Sequence, residues 1–331
     1  TIEPNVGRVS VPDARLNDIA ALAGSATIIP AQLEFVDIAG LVKGASTGEG
    51  LGNKFLSNIR QTDAIIHVVR CFEDGDVTHV DGSVDPLRDI ETIETELLLA
   101  DMESLDKQVE NLAKKAKGGD KQLKAQYDYM LLHKSALDAG KPARTVDVNN
   151  EEEDIWRKGM GLMTSKPILY VCNVNEGDAA NGNAHSQKVF EYAAKEGAQA
   201  VVICANIESE IAQLGDEAAQ KEFLESMGLT EPGLNRIIRA GFKLLGLQTY
   251  FTAGPKEARA WTIHIGDKAP QAAGVIHTDF QRGFIKADVI SFADYVACKG
   301  EQGAKDAGKL RQEGKEYVVA DGDVILFKFN V

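Results

Sequence analysis

The stretch Gln32–Leu56, QLEFVDIAGLVKGASTGEGLGNKFL, decides how the rest of the chain is read. Leu33, Phe35, Val36 and Ile38 make a short apolar run, ended by Gly40 and followed by Gly44, Gly48, Gly50 and Gly52. That pattern reads as a buried strand passing into a glycine-rich loop. Asp37 then stands at a strand end, and in an open α/β sheet ligands bind beyond the carboxyl ends of the parallel strands. A strand-ending Asp ahead of a turn Gly is common, so these residues alone assign no chemistry.

The surrounding residues add to it. Asp37-Ile38-Ala39-Gly40 looks like the D-x-x-G element of a P-loop nucleotidase, whose Asp reaches the Mg²⁺ shell and whose Gly amide senses the γ-phosphate. The longer run D-I-A-G-L-V-x-G-A-S-x-G-x-G-L-G-N-x-F-L resembles the Obg-like ATPases. So do His67-Val68-Val69-Arg70-Cys71-Phe72-Glu73, Lys114-Lys115-Ala116-Lys117-Gly118-Gly119-Asp120, Glu231-Pro232-Gly233-Leu234-Asn235, Gln248-Thr249-Tyr250-Phe251-Thr252-Ala253-Gly254 and Lys299-Gly300-Glu301-Gln302-Gly303-Ala304. The resemblance runs from Thr1 to Val331. It implies an α/β P-loop nucleotidase: a mostly parallel sheet with covering helices, an inserted antiparallel helical hairpin, and a C-terminal β-grasp module of the TGS type. The expected boundaries are a first nucleotide-binding part at 1–85, the hairpin at 86–160, a second nucleotide-binding part at 161–246 and the TGS-like domain at 247–331.

In that family the segment around Thr1 belongs to the first switch, and the resemblance gives Thr1 a place on Mg²⁺ beside Asp37. The family's G-x-x-x-x-G-K-[ST] phosphate loop is expected upstream of Thr1. A polypeptide beginning at Thr1 is expected to lack the central strand and to bind nucleotide weakly, because that loop supplies most of the phosphate cradle.

Composition fits a soluble globular protein: 331 residues, 44% hydrophobic and 26% charged, with a net charge of −14. That charge argues against general wrapping of nucleic acid. No apolar run is long enough to span a bilayer, and no signal-peptide pattern is present. Cys71, Cys172, Cys204 and Cys298 lack Cys-x-x-Cys spacing and read as reduced residues of a cytosolic protein. A cytoplasmic monomer is expected.

The periodicity predicts a helix within Pro12–Ala23 capped by Asp13, another near 53–62, and a buried strand Ala64–Cys71 in which His67 is a core residue. From Pro86 to Ala139 a near-heptad stripe of Ile90, Ile93, Leu97, Leu98, Met102, Leu105, Val109 and Leu112 is broken by Gly118-Gly119 and resumes on a second helix. Lys114, Lys115, Lys117, Lys121 and Lys124 gather at this turn. They read either as a solvated tip or as a docking point for phosphate-rich RNA.

Pro167–Val174 is the next strand, ending in Asn173-Val174-Asn175-Glu176. GTP-binding relatives carry N-K-x-D here, with the Asp accepting two bonds from guanine. This chain has no Lys, and its acidic residue is one methylene longer, which displaces the carboxylate such readout requires. Asn173, or backbone groups at Asn173 and Val174, can match adenine instead. The Obg-like ATPases depart from N-K-x-D in the same way, so the resemblance implies ATP over GTP. Ala198–Ala205 is the last strand of this part, and Ala205 and Asn206 follow where the family brackets the base. From Leu247 onward short strands are predicted at 249–251, 258–264, 283–290, 317–319 and 323–329, with a helix at 271–275. His277 and Asp279 on one turn do not make a metal site.

The expectation is a Mg²⁺-dependent ATPase acting with the ribosome, with Asp37 and Gly40 at the reacting phosphate. Leu41 stands where many GTPases place a water-orienting Gln, so slow intrinsic hydrolysis is expected. The alternatives are a GTPase of the same family and an RNA- or ribosome-binding adaptor in which nucleotide is a structural ligand.

Overall fold

The computed structural model describes residues 5–38, 51–74 and 83–330. The chain runs through β1 (Asn5–Ser10), α1 (Ala14–Ala23), β2 (Thr27–Ile29), β3 (Gln32–Asp37), α2 (Leu51–Arg60) and β4 (Ile65–Arg70). Then come α3 (Pro86–Ala116), α4 (Lys121–Asp138), α5 (Glu151–Met160), β5 (Ile168–Asn173), α6 (Ala184–Lys195), β6 (Gln199–Ile203), α7 (Ala205–Gln213), α8 (Glu217–Ser226) and α9 (Gly233–Leu244). The last part holds β7 (Leu247–Ala253), β8 (Glu257–His264), α10 (Ala269–Ile276), α11 (Thr278–Arg282), β9 (Phe284–Ile290), α12 (Phe292–Ala297), α13 (Glu301–Asp306), β10 (Arg311–Glu313) and β11 (Val324–Phe329). Two compact units emerge, one centred on Val36–Ile237 and the other made of Gly7–Phe35 with the chain from Ile238 onward.

In the first unit β4, β5 and β6 form a parallel sheet, with Arg70 opposite Asn173 and Asn173 opposite Ile203. All three strands therefore end at one level. The run Ile168–Cys172 is wholly buried because both faces of β5 are covered, which is why it reads as unbroken apolar sequence. Val189 and Ala193 of α6 and Ile90 of α3 complete that core.

The expected helical hairpin is present. Asp85 caps α3 by accepting from the Arg88 amide, and Pro86 takes the first turn, where its missing N–H costs nothing. Leu105 and Leu112 of α3 pack with Tyr129, Met130 and Leu137 of α4. The turn between them uses Gly119 at φ 84, a left-handed conformation, and Asp120 then caps α4 through the amides of Gln122 and Leu123.

The second unit is a six-stranded mixed sheet in the order β10-β9-β11-β7-β8-β2, with β11 parallel to β7 in β-grasp fashion. Alternation along β7 sends Tyr250 to one face, under α10, and Phe251 to the other, under α1. Residues 7–35 supply α1 and the edge strand β2 to this unit, which pairs parallel with β8. The strand expected at 317–319 is a single bridge between Lys268 and Val318.

Candidate functional site

The carboxyl ends of β4, β5 and β6 converge on one edge of the first unit. The Cys71 amide donates to the Asn173 carbonyl at 2.8 Å, and the Val174 amide donates to the Ile203 carbonyl at 2.9 Å. The Asn173 side chain reaches across to the last loop, where its Oδ1 accepts from the Ala205 amide at 3.0 Å. This bond fastens the two loops that the sequence nominates for base recognition. It uses one lone pair of Asn173 Oδ1 and orients the side chain, whose Nδ2 amide is a donor that can meet a base.

Val174 is 2% exposed and belongs to the sheet core, so it offers a ligand main chain only. Asn175 and Glu176 are exposed, as are Ala205 and Asn206 at the start of α7. The Asn175 amide lies 3.5 Å from the Glu73 carbonyl, at the outer limit of a hydrogen bond. Of the nominated base residues, the structure therefore brings Asn173, Asn175, Glu176, Ala205 and Asn206 to one rim.

The support behind this rim has little signature in the sequence. Asn183 caps α6 by accepting from the amides of His185 and Ser186, and its Nδ2 donates to the Cys71 carbonyl and to Asp178, each at 2.8 Å. His185 lies 3.3 Å from the Glu73 carboxylate. Arg70 donates to the carbonyls of Phe72 and Asp74 and lies over the Phe72 ring. Glu208 of α7 accepts from the amides of Gly233 at 2.7 Å and Leu234 at 3.0 Å, placing a carboxylate at the positive end of α9. The N-x-x-S spacing of Asn183 and Ser186 is the one local signal for any of this.

Asp37 stands at a strand end, as the sequence predicts. It ends β3, which pairs with β1 in a two-stranded sheet separate from β4, β5 and β6 among the described residues. Asp37 is exposed, with no hydrogen bond or ion pair among the described residues. A solvated carboxylate of this kind suits Mg²⁺, which keeps several waters and takes one or two carboxylates plus phosphate oxygens. Thr1 and Gly40 lie outside the described residues, as does Leu41. Among the described residues no group of three His, Cys, Asp or Glu side chains makes a metal site by itself.

His67 packs beside Tyr170, and burial pushes its imidazole down to about 4, against the opposing charges of Glu94 and Asp89. It is thus neutral in the folded protein near pH 7, although the residue is only partly buried and lies at the margin of the core expected for it. All four cysteines are free thiols, and the Cys71 thiol together with burial holds that of Cys172 far up, so Cys172 is no nucleophile.

Residues 1–117 match the family model described as a 50S ribosome-binding GTPase. Residues 247–330 match the model for the C-terminal domain of YchF GTPases, described as a protein of unknown function. The chain is 55% identical over 331 residues to the ribosome-binding ATPase YchF of Haemophilus influenzae, covering all of this chain and 90% of that one. It is 48% identical to Obg-like ATPase 1 of Pongo abelii, covering all of this chain and 84% of the relative. The solved structure of the Schizosaccharomyces pombe YchF GTPase superposes with a TM-score of 0.87 at 36% identity, over 99% of this chain and 88% of that one. With this likeness in sequence and fold along its whole length, the chain belongs to the YchF family of Obg-like ATPases.

Proposed function

We propose that the chain is a Mg²⁺-dependent nucleotide hydrolase that prefers ATP to GTP and works on the ribosome. The observation that carries the base preference is the turn after β5. At the position of the N-K-x-D lysine stands Val174, sunk in the sheet core, and the carboxylate belongs to an exposed Glu176. A guanine-reading turn needs a carboxylate set at a fixed reach, and rejects analogues by leaving that group unpaired. Here Asn173 Nδ2 and the neighbouring main chain meet the base, with Asn175, Ala205 and Asn206 around it.

Bound Mg²⁺ would neutralise charge on the phosphates. Asp37 would hold it, directly or through water, together with Thr1, and the Gly40 amide would stabilise the γ-phosphate. Leu41 has no group that hydrogen-bonds water, so turnover by the isolated protein is slow. The names of the bacterial relatives support a ribosomal partner. So does the hairpin tip, where Lys114, Lys115, Lys117, Lys121 and Lys124 are all exposed. No helix among the described residues is long and apolar enough to cross a membrane.

The same basic tip favours a second reading, an RNA- or ribosome-binding adaptor for which nucleotide is structural. Co-sedimentation with ribosomes, with phosphate release followed in parallel, separates the two. The hydrolase reading expects ribosome binding to change with ATP and phosphate to be released. Binding indifferent to nucleotide, without phosphate release, supports the adaptor.

A further inference from the structure

Strand β6 is the last strand of the parallel sheet among the described residues. The bond from the Val174 amide to the Ile203 carbonyl fixes its alternation. Gln199, Val201 and Ile203 turn their main-chain groups toward β5, and Ala200 and Val202 turn theirs outward. No backbone bond among the described residues takes up those outward groups.

The outer edge is the floor of a groove of about 400 Å³. Gln187 and Phe190 of α6 line it on one side, and Arg236 of α9 lines it as well. Phe190 is 38% exposed, too open for an ordinary core ring. Arg236 is the one charged side chain in the lining, and its Nε is buried with no hydrogen-bond partner among the described residues. In a chain of net charge −14, a half-buried guanidinium with an unmet donor is a costly arrangement unless something arrives to meet it.

We propose that this groove is a docking site for an extended acidic peptide, which adds to the sheet beside β6 and places a carboxylate on Arg236. Exposed strand edges template such pairing, with main-chain bonds giving affinity and pockets for alternate side chains giving selectivity. Here the outward groups of Ala200 and Val202 supply the ladder. Phe190 offers an apolar seat, and the guanidinium fork matches a carboxylate with two parallel bonds. The sign of the lining charge selects an acidic peptide over a basic one.

The test selects a displayed library of random twelve-residue peptides on the protein, then measures the enriched peptides in solution. The expected peptides carry a carboxylate, protect the Ala200 and Val202 amides from hydrogen exchange, and lose at least about tenfold in affinity when that carboxylate becomes an amide. Arg236→Gln should produce a similar loss, and because the peptide substitution leaves the protein untouched, the result does not hinge on that variant folding. Enrichment of no sequence, equal binding to Arg236→Gln, or unprotected amides would overturn the proposal. Binding of inorganic phosphate at Arg236, with no peptide bound, would make the groove a small-anion site and overturn it equally.

Discussion

Asp101→Asn should destabilise the first unit by about 2–4 kcal/mol. Asp101 of α3 is wholly buried, and its Oδ1 accepts from the Met163 amide at 2.9 Å. Its Oδ2 accepts from the Thr164 amide and hydroxyl, both at 2.7 Å. The same hydroxyl accepts from the Ala143 amide at 3.1 Å, so one carboxylate ties α3 to the two turns that return the chain to β5. Burial pushes the Asp101 carboxyl up, and the bonds from Thr164 and Met163 oppose it. Asparagine keeps the shape and one oxygen. It can retain the Thr164 bonds, but its NH₂ then faces the Met163 amide. One charge-assisted bond is lost, worth ~1.5–3 kcal/mol, and a buried N–H is left unpaired at ~1–3 kcal/mol, partly offset because no charge is buried. Trp156 packs in the neighbouring hairpin core and reports unfolding of this unit in a Trp261→Phe background. Urea titration of that fluorescence gives the free energy. A Thr164→Val partner should show strong non-additivity with Asp101→Asn. A loss under about 0.5 kcal/mol, or simple additivity, would refute the argument.

Three further outcomes follow from the geometry. The His67 imidazole binds fewer protons folded than unfolded between its displaced value of about 4 and the ordinary 6.5. Stability should therefore rise with pH across that window and be lost as pH falls through it, by ~3 kcal/mol at most, and His67→Gln should flatten the profile in acid denaturation. Changing Lys114, Lys115, Lys117, Lys121 and Lys124 to Gln should weaken ribosome co-sedimentation and lower its salt dependence, by about one in log–log slope for each phosphate no longer neutralised. Glu208→Ala removes the acceptor for Gly233 and Leu234 and should cost about 1–2 kcal/mol in thermal unfolding, with Glu208→Gln costing less.

Legibility in the sequence followed the range of the interactions. Asp13 ahead of α1, the stripe through Ile90 and Leu105, and the run Ile168–Cys172 are local patterns, and each became the element it predicts. The pairing of β2 with β8 was not legible, since Thr27–Ile29 is three residues long and its partner lies more than two hundred residues away. Nor was β1, whose residues are mostly exposed and show no clear alternation. At the candidate site, periodicity placed the end of β5 at Asn173 and carried β6 on to Ala205, although that strand stops at Ile203 and Ala205 opens α7. The bond between Asn173 and Ala205 could not be placed that way, because it depends on two strands meeting in space. Asn183 and Glu208 act through neighbours of the same long-range kind.

The central claim is ATP preference set by the turn after β5. It is tested most directly by calorimetric titration of Mg-ATP and Mg-GTP into a polypeptide that carries the phosphate loop ahead of Thr1, as wild type and as Glu176→Asp. The account predicts ATP binding at least about tenfold tighter than GTP in the wild type, which is ~1.4 kcal/mol, and a narrower gap in Glu176→Asp. Tighter binding of GTP by the wild type would mean that Glu176 does reach guanine, and would contradict it.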